Sequence, residues 1–248
     1  MMHIFADPAD RDGDLLRITG SDYNHIRNVC RMHTGDELSV SFGTDGREYR
    51  YGIESFEDGA VICRLRFVKE ASVELPVKVI LFQGLPKADK MDFIVQKSVE
   101  LGVSEIIPVA MKRSVVRLDG ARAEKKTQRW QGIAQSAAEQ SRRGIVPKVH
   151  VPMTVEEAVQ YAQQNAGVRL LPYELQPQDP GTKKILEGLK AGESVAVFIG
   201  PEGGFEPSEV AHAREHGFVP ISLGRRILRT ETAALTFLSW LIYLFEVH

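Results

Sequence analysis

Two short stretches of the 248-residue sequence carry residues suited to gripping a ligand. The first, Phe198-Ile-Gly-Pro-Glu-Gly-Gly-Phe205, follows an apolar run and precedes Glu206-Pro207. Proline there fits the first turn of a helix, so the order reads strand, glycine loop, helix. Gly200, Gly203 and Gly204 permit backbone angles that side chains forbid and let a ligand approach the main chain, while the helix start leaves N–H groups free. The second, Leu223-Gly-Arg-Arg-Ile-Leu-Arg-Thr-Glu-Thr-Ala233, repeats that grammar, with a turn at Gly224 and a helix opening near Thr230. Either loop alone reads as an ordinary turn. Two of them at neighbouring strand ends, with Arg225, Arg226 and Arg229 between, read as a binding crevice.

Further cations follow other expected strands: Lys87 and Lys90, then Lys112-Arg113, and Arg142-Arg143 after the small, polar helix end Gln135-Ser-Ala-Ala-Glu-Gln-Ser. Strand C-terminal ends are where open α/β sheets bind ligands, and arginine's planar fork suits phosphate. Tyr173-Glu174 belongs to the same edge, either as one wall of a cofactor slot or as a capped loop. The G-x-G-x-x-G and G-x-x-x-x-G-K-[ST] patterns are absent, which disfavours common dinucleotide and P-loop sites. His212-Ala-Arg-Glu215-His216 matches H-x-x-E-H, but Val210, Ala211 and Phe218 predict a core face that turns the histidines to solvent, so no metal is expected.

The elements that must position these loops change character along the chain. Before residue 70, short β-segments at 15–18, 37–42, 48–53 and 60–68 alternate with turns at 43–46 and 57–59, which predicts a small barrel. One helix, 22–32, interrupts it and is expected to carry His25, Ile26 and Val29 on one side. From Pro76 strands alternate with helices: strands at 77–83, 105–110, 148–151, 168–171, 194–199 and 219–223, helices at 90–101, 122–141, 154–164, 182–189, 207–216 and 230–245. That alternation predicts a mostly parallel sheet covered on both faces. Thr154 with Glu157 predicts a capping box.

Composition is that of an ordinary soluble chain, 43% hydrophobic and 26% charged. Net charge is −2, yet residues 1–70 hold 9 basic and 13 acidic side chains whereas residues 87–150 hold 13 and 7. The basic middle reads as a phosphate-contacting face or as a solvated helical one. Two cysteines, Cys30 and Cys63, make no disulfide framework and point to a reducing, cytoplasmic setting, and the N-terminus has no secretory pattern. Residues 233–245 are apolar but too few to span a bilayer, and their side chains, among them Leu235, Phe237, Trp240 and Ile242, spread around more than one face. A homodimer is expected from that spread, with no membrane partner.

With the stretches 87–102 and 135–143, and with His25-Ile-Arg-Asn-Val-Cys-Arg31 in the first part, the two loops resemble the RsmE family over nearly the whole chain. These bacterial enzymes methylate N3 of one uridine in small-subunit ribosomal RNA. The resemblance implies an α/β protein: an N-terminal PUA-like β-barrel that binds RNA, residues 1–72, and a C-terminal SPOUT α/β methyltransferase domain with a trefoil knot, residues 73–248. It also implies a homodimer that uses S-adenosyl-L-methionine. Connection rules alone argue against a knot. The implied cofactor residues are Leu171, Tyr173 and Glu174; Ile199, Gly200, Pro201, Glu202, Gly203 and Gly204; and Leu223, Gly224, Ile227, Leu228, Arg229, Thr230 and Thr232. The 16S rRNA contacts are expected from His25, Arg31, Lys87, Lys90, Arg113, Arg142 and Arg143. The sister family that methylates ribose hydroxyls has an Asn-containing final motif, and Arg-Arg-Ile-Leu-Arg-Thr-Glu-Thr stands here instead, favouring a base substrate. Arg229 is expected to stabilise charge during catalysis, or else to serve as a phosphate or salt-bridge arginine. A non-catalytic RNA-binding assembly protein and a ribose methyltransferase are the competing readings.

Overall fold

The computed structural model describes residues 1–43, 45–70, 73–174 and 181–247. Thr44, inside the turn expected at 43–46, and Ser72, at the expected domain boundary, lie outside the described residues. The chain forms two compact units, Met1–Glu74 with Ala138–Val146, and Leu75–Ala137 with Pro147–His248.

The first unit is a six-stranded sheet in the order β1-β4-β5-β6-β3-β2, from β1 (His3–Phe5), β2 (Arg11–Asp12), β3 (Leu15–Thr19), β4 (Glu37–Ser41), β5 (Glu48–Glu57) and β6 (Ala60–Lys69). All pairs are antiparallel except β1 with β4. Alternating apolar residues make its core: Leu16 and Ile18, Leu38 and Val40, Tyr51 and Ile53, Val61 and Cys63. Burial, helped by Glu54, pushes the Cys63 thiol up to about 12, so it stays protonated. The single helix expected at 22–32 is instead a short one, α1 (Gly20–Asn24), continuing into a π-helical turn at His25–Val29, where the Cys30 N–H donates to the His25 carbonyl at 2.9 Å. The wider turn breaks the expected common face. Ile26 is fully buried, whereas His25 is exposed and Val29 is 68% exposed.

The segment Ala138–Val146 belongs to this unit although the 63 residues from Leu75 to Ala137 separate it in sequence. Glu74 holds it: its carboxylate accepts from Arg143 Nε at 3.1 Å, from the Gly144 N–H at 3.1 Å and from the Ile145 N–H at 3.3 Å. Gly144 permits the approach, since a Cβ there would lie 2.4 Å from the Gly46 carbonyl oxygen.

The second unit contains β7 (Lys78–Gly84), α2 (Lys90–Glu100), β8 (Glu105–Ala110), α3 (Gly120–Gln140, whose end from Ala138 counts with the first unit), β9 (Lys148–Val149), β10 (Met153–Thr154) and α4 (Val155–Asn165). After these come β11 (Val168–Pro172), α5 (Thr182–Glu187), β12 (Ser194–Ile199), α6 (Pro207–Glu215), β13 (Val219–Ile221) and α7 (Thr230–Glu246). The sheet order is β10-β8-β7-β12-β11-β13, with β9 also on β8, and every pairing is parallel. Its central strands are near-continuous apolar runs, as burial on both faces requires: Val79, Ile80, Leu81 and Phe82 in β7, Val195 to Phe198 in β12. Both bonds of the Thr154–Glu157 capping box are present at the start of α4. Among the described residues no helix is long and apolar enough to cross a membrane.

Candidate functional site

Because β12, β11 and β13 are spatial neighbours and all parallel, the loops that leave them emerge at one edge of the sheet. They enclose two adjoining cavities, of about 370 Å³ and 250 Å³, which share Pro172, Glu174, Ile227, Leu228 and Ala233 as lining. The larger adds Tyr173, Ser222, Leu223, Gly224, Arg225 and Arg226. The smaller adds Ile199, Gly200, Pro201, Glu202, Gly204, Phe205, Arg229 and Thr230. This is a cleft lined by apolar and polar groups together, of a size that small ligands fill.

The loop geometry comes from local chemistry. Gly204 sits at φ +66°, a left-handed conformation that its missing side chain allows, and a Cβ there would lie 3.0 Å from the Glu174 carboxylate. Of the three loop glycines, the backbone angle that side chains forbid belongs to Gly204. Gly203 has no left-handed φ, does not line the cleft, and instead packs where a Cβ would meet Arg113 Cβ at 2.9 Å. Glu206 caps α6, taking part in a reciprocal box with Glu209, and Pro207 occupies its first turn. Tyr173 and Phe205 meet edge to face at 6.4 Å and tie the β11 loop to the glycine loop.

Electrostatics divide the loops. Glu202 accepts from the Lys87 N–H at 3.2 Å and pairs with Lys90 Nζ at 2.9 Å, and Lys90 also reaches Glu231 at 3.3 Å. Burial pushes the Glu202 carboxyl up, but the Lys90 hydrogen bond and the loop N–H groups together hold it below its ordinary value. Arg113 donates to Glu206 at 2.8 Å and to the Gly203 carbonyl at 3.1 Å. Opposite them, Arg225, Arg226 and Arg229 are exposed and, among the described residues, their side chains make no hydrogen bond or ion pair. Among the described residues that line the cleft, unpaired positive charge comes from the 223–229 loop.

Of the expected cofactor residues, the structure brings Tyr173, Glu174, Ile199, Gly200, Pro201, Glu202, Gly204, Leu223, Gly224, Ile227, Leu228, Arg229 and Thr230 to the cleft wall. Leu171 is fully buried in β11, and Thr232 faces a separate groove between α2 and α7. Pro172, Phe205 and Ala233, within or at the ends of the expected loops, and Ser222, just before one of them, complete the lining. Among the expected RNA contacts, His25, Arg31 and Arg142 are exposed on the first unit. Arg143 is a correction: it is 3% exposed with its guanidinium on Glu74, so phosphate does not reach it. Lys87, Lys90 and Arg113 gather at the glycine loop, where its acids already pair with the last two. On α6 the core face is made by Val210 and Ala213 rather than by Ala211, which is exposed; His212 and His216 are half-buried, their rings tilted at 49° with centroids 4.3 Å apart.

Comparison with known proteins adds a family to this geometry. A profile described as an RNA methyltransferase domain matches residues 73–242, and one described as an RNA methyltransferase PUA domain matches residues 18–66. Ribosomal RNA small subunit methyltransferase E of Bacillus subtilis is 39% identical over 93% of this chain and 90% of its own length. Its Mycobacterium bovis counterpart is 32% identical over 94% and 88%. The crystal structure of the Neisseria gonorrhoeae enzyme of that name, bound to S-adenosyl methionine, superposes with a TM-score of 0.85 at 29% identity, covering 99% of this chain and 98% of its own.

Proposed function

The chain belongs to the ribosomal RNA small subunit methyltransferase E family, and on that premise we propose that it methylates N3 of a specific uridine in 16S ribosomal RNA with S-adenosyl-L-methionine. The observation that carries this reading is the three-loop cleft at the shared edge of β11, β12 and β13. Its residues fit the cofactor. The apolar walls from Ile199, Phe205, Ile227, Leu228 and Ala233 suit an adenine ring, Glu174 suits ribose hydroxyls or an ammonium group, and Arg225 and Arg226 suit a carboxylate. Gly204 leaves room that a Cβ would take.

S-adenosylmethionine supplies an electrophilic methyl group carried on a positively charged sulfur. The protein's own share is to hold the uracil in line with that group and to stabilise charge. N3 becomes a competent nucleophile when its proton leaves and negative charge spreads to the two flanking carbonyl oxygens. Arg229 is suited to those oxygens: it lines the cleft, is exposed and unpaired among the described residues, and stands at the N-cap of α7, where the helix end adds positive potential. A guanidinium donates hydrogen bonds and accepts none, so its role is stabilisation and not proton removal.

The finer architecture that accompanies this reading is a PUA-like barrel over residues 1–72, which recruits RNA, and a trefoil-knotted SPOUT domain over residues 73–248. His25, Arg31 and Arg142 supply phosphate contacts from exposed positions. The enzyme works in the cytoplasm as a homodimer. Support for the dimer comes from the groove between α2 and α7, about 660 Å³, where Phe93, Leu235 and Trp240 leave apolar surface uncovered.

Nucleoside mass spectrometry of 16S RNA from cells lacking the gene, before and after complementation, tests the activity. Loss and recovery of 3-methyluridine is the expected result. Loss of a ribose-methylated nucleoside instead, or no lost modification, rejects it. Light scattering that reports a monomer at working concentration rejects the dimer.

A further inference from the structure

Gln83 is a primary amide at the end of β7, with no exposed surface, in a unit whose central strands are otherwise apolar. A buried amide is costly unless its hydrogen bonds are made, so its partners define what it is for. Its Nε2 donates to the Gly84 carbonyl at 3.0 Å and to Thr230 Oγ1 at 2.8 Å. Thr230 is itself 4% exposed, and its hydroxyl donates to the Gly200 carbonyl at 2.6 Å. A hydroxyl has one proton, and because Thr230 accepts from Gln83, that proton is directed to Gly200.

The relay has a direction that Gln83 enforces at a cost. Its Oε1 is buried and has no hydrogen-bond partner among the described residues. Turning the amide over would satisfy that oxygen through the Thr230 hydroxyl, but it would take the proton away from Gly200 and set two oxygens against each other at Gly84. Gly200 opens the glycine loop and lines the cleft; Thr230 opens α7 directly after Leu228 and Arg229, which line the opposite wall. One hydroxyl therefore fastens together the two loops whose spacing makes the cleft, and β7, which contributes nothing to the lining, decides where its proton goes.

We infer that Gln83 is a positioning residue: acting through Thr230, it holds the 199–204 and 223–230 loops at the separation that cofactor binding requires. The cofactor's identity rests on the functional reading above, whereas the fastening of the loops does not. The test uses the full chain with Gln83→Leu, Thr230→Val, Thr230→Ser and the double Gln83→Leu/Thr230→Val. Two readouts are taken: S-adenosylmethionine affinity by calorimetry, and hydrogen–deuterium exchange of the ligand-free protein. Gln83→Leu and Thr230→Val should each weaken affinity about tenfold and speed exchange in residues 199–204 and 228–232. The double variant should be no worse than the worse single one, because both cut the same relay. Thr230→Ser, which keeps the hydroxyl, should recover most of the loss.

Affinity within twofold of wild type for both single variants, with loop exchange unchanged, overturns the inference. So does additive loss in the double variant, or exchange that accelerates evenly across the whole second unit, since each marks a merely structural role. If the wild-type protein binds no S-adenosylmethionine while the exchange pattern holds, the functional reading fails and the positioning role stands.

Discussion

Gly204→Ala separates two things that a glycine in a binding loop can do. Placing a Cβ on a residue at φ +66° costs about 1–2 kcal/mol for an L-amino acid, whatever surrounds it. The new methyl would also stand 3.0 Å from Glu174 Oε1 and 3.4 Å from Oε2. Glu174 is exposed, so that contact is relieved by swinging a flexible side chain rather than by moving backbone. The dominant cost is therefore conformational, and it should appear in stability. For a unit of this size each kcal/mol lowers the melting temperature by about 2–4 °C, which gives a fall of about 2–8 °C. Binding should respond differently. The strain is present in both the free and the bound folded protein and cancels in the affinity, leaving only the displacement of Glu174, worth less than about tenfold in Kd, that is, less than about 1.4 kcal/mol. Adding Glu174→Ala removes the contact and keeps the strain, so the double variant should melt where the single one does. Differential scanning calorimetry with S-adenosylmethionine titrations reads both quantities. A double variant that regains wild-type stability would show that crowding, and not the left-handed backbone, is what Gly204 avoids.

Arg229→Ala should lower turnover by about 10²–10³ with cofactor affinity nearly intact, as for loss of one oxyanion donor, and raising the pH should recover part of the loss as uracil ionises unaided; turnover within a few-fold of wild type removes the role. Arg142→Ala should reduce the salt slope of RNA binding by about one, measured by fluorescence anisotropy across salt concentrations. Arg143→Ala should instead destabilise by about 1–3 kcal/mol in urea titrations, because it removes a guanidinium whose side chain is 4% exposed and leaves the Glu74 carboxylate, 21% exposed, to its backbone donors Gly144 and Ile145. Glu105 is held at about 2 by the His150 hydrogen bond, with Lys78 and Tyr161 assisting against burial. Its depressed value means that its contribution to stability is complete above its ordinary 4.5 and is lost as pH falls from there through about 2. Urea midpoints taken between pH 6 and 3 should fall more steeply for wild type than for Glu105→Gln.

The parallel half of the fold was legible because its strands are long apolar runs stopped by strong punctuation. The runs 105–110 and 194–199 predict the bounds the strands have, and Pro207 and Thr154 mark their helices. What was missed had no local signal. β1, β2 and β10 are two or three residues long, too short for periodicity, and β1 and β10 exist through parallel pairing with distant strands. The π-helical turn at His25–Val29 looks like ordinary helix until its hydrogen bonds are traced. The cleft was legible because its walls are glycine-marked loops. Arg143 looks like a phosphate contact in sequence because its partner, Glu74, lies 69 residues away, and Gln83 carries no signal because one polar residue at the end of an apolar strand looks like that strand's exit.

The return of Ala138–Val146 to the first unit sets an order of events during synthesis. Residues up to Glu74 emerge first, with the strands of their sheet complete, but the Arg143, Gly144 and Ile145 groups that occupy the Glu74 carboxylate are not yet made. At about 5–20 residues per second, another 4–14 s or so pass before Val146 is joined to the chain. Throughout that interval the nascent sheet keeps the Gly46 surface open and Glu74 solvated. Its last packing step waits on sequence that lies beyond two strands and two helices of the neighbouring unit.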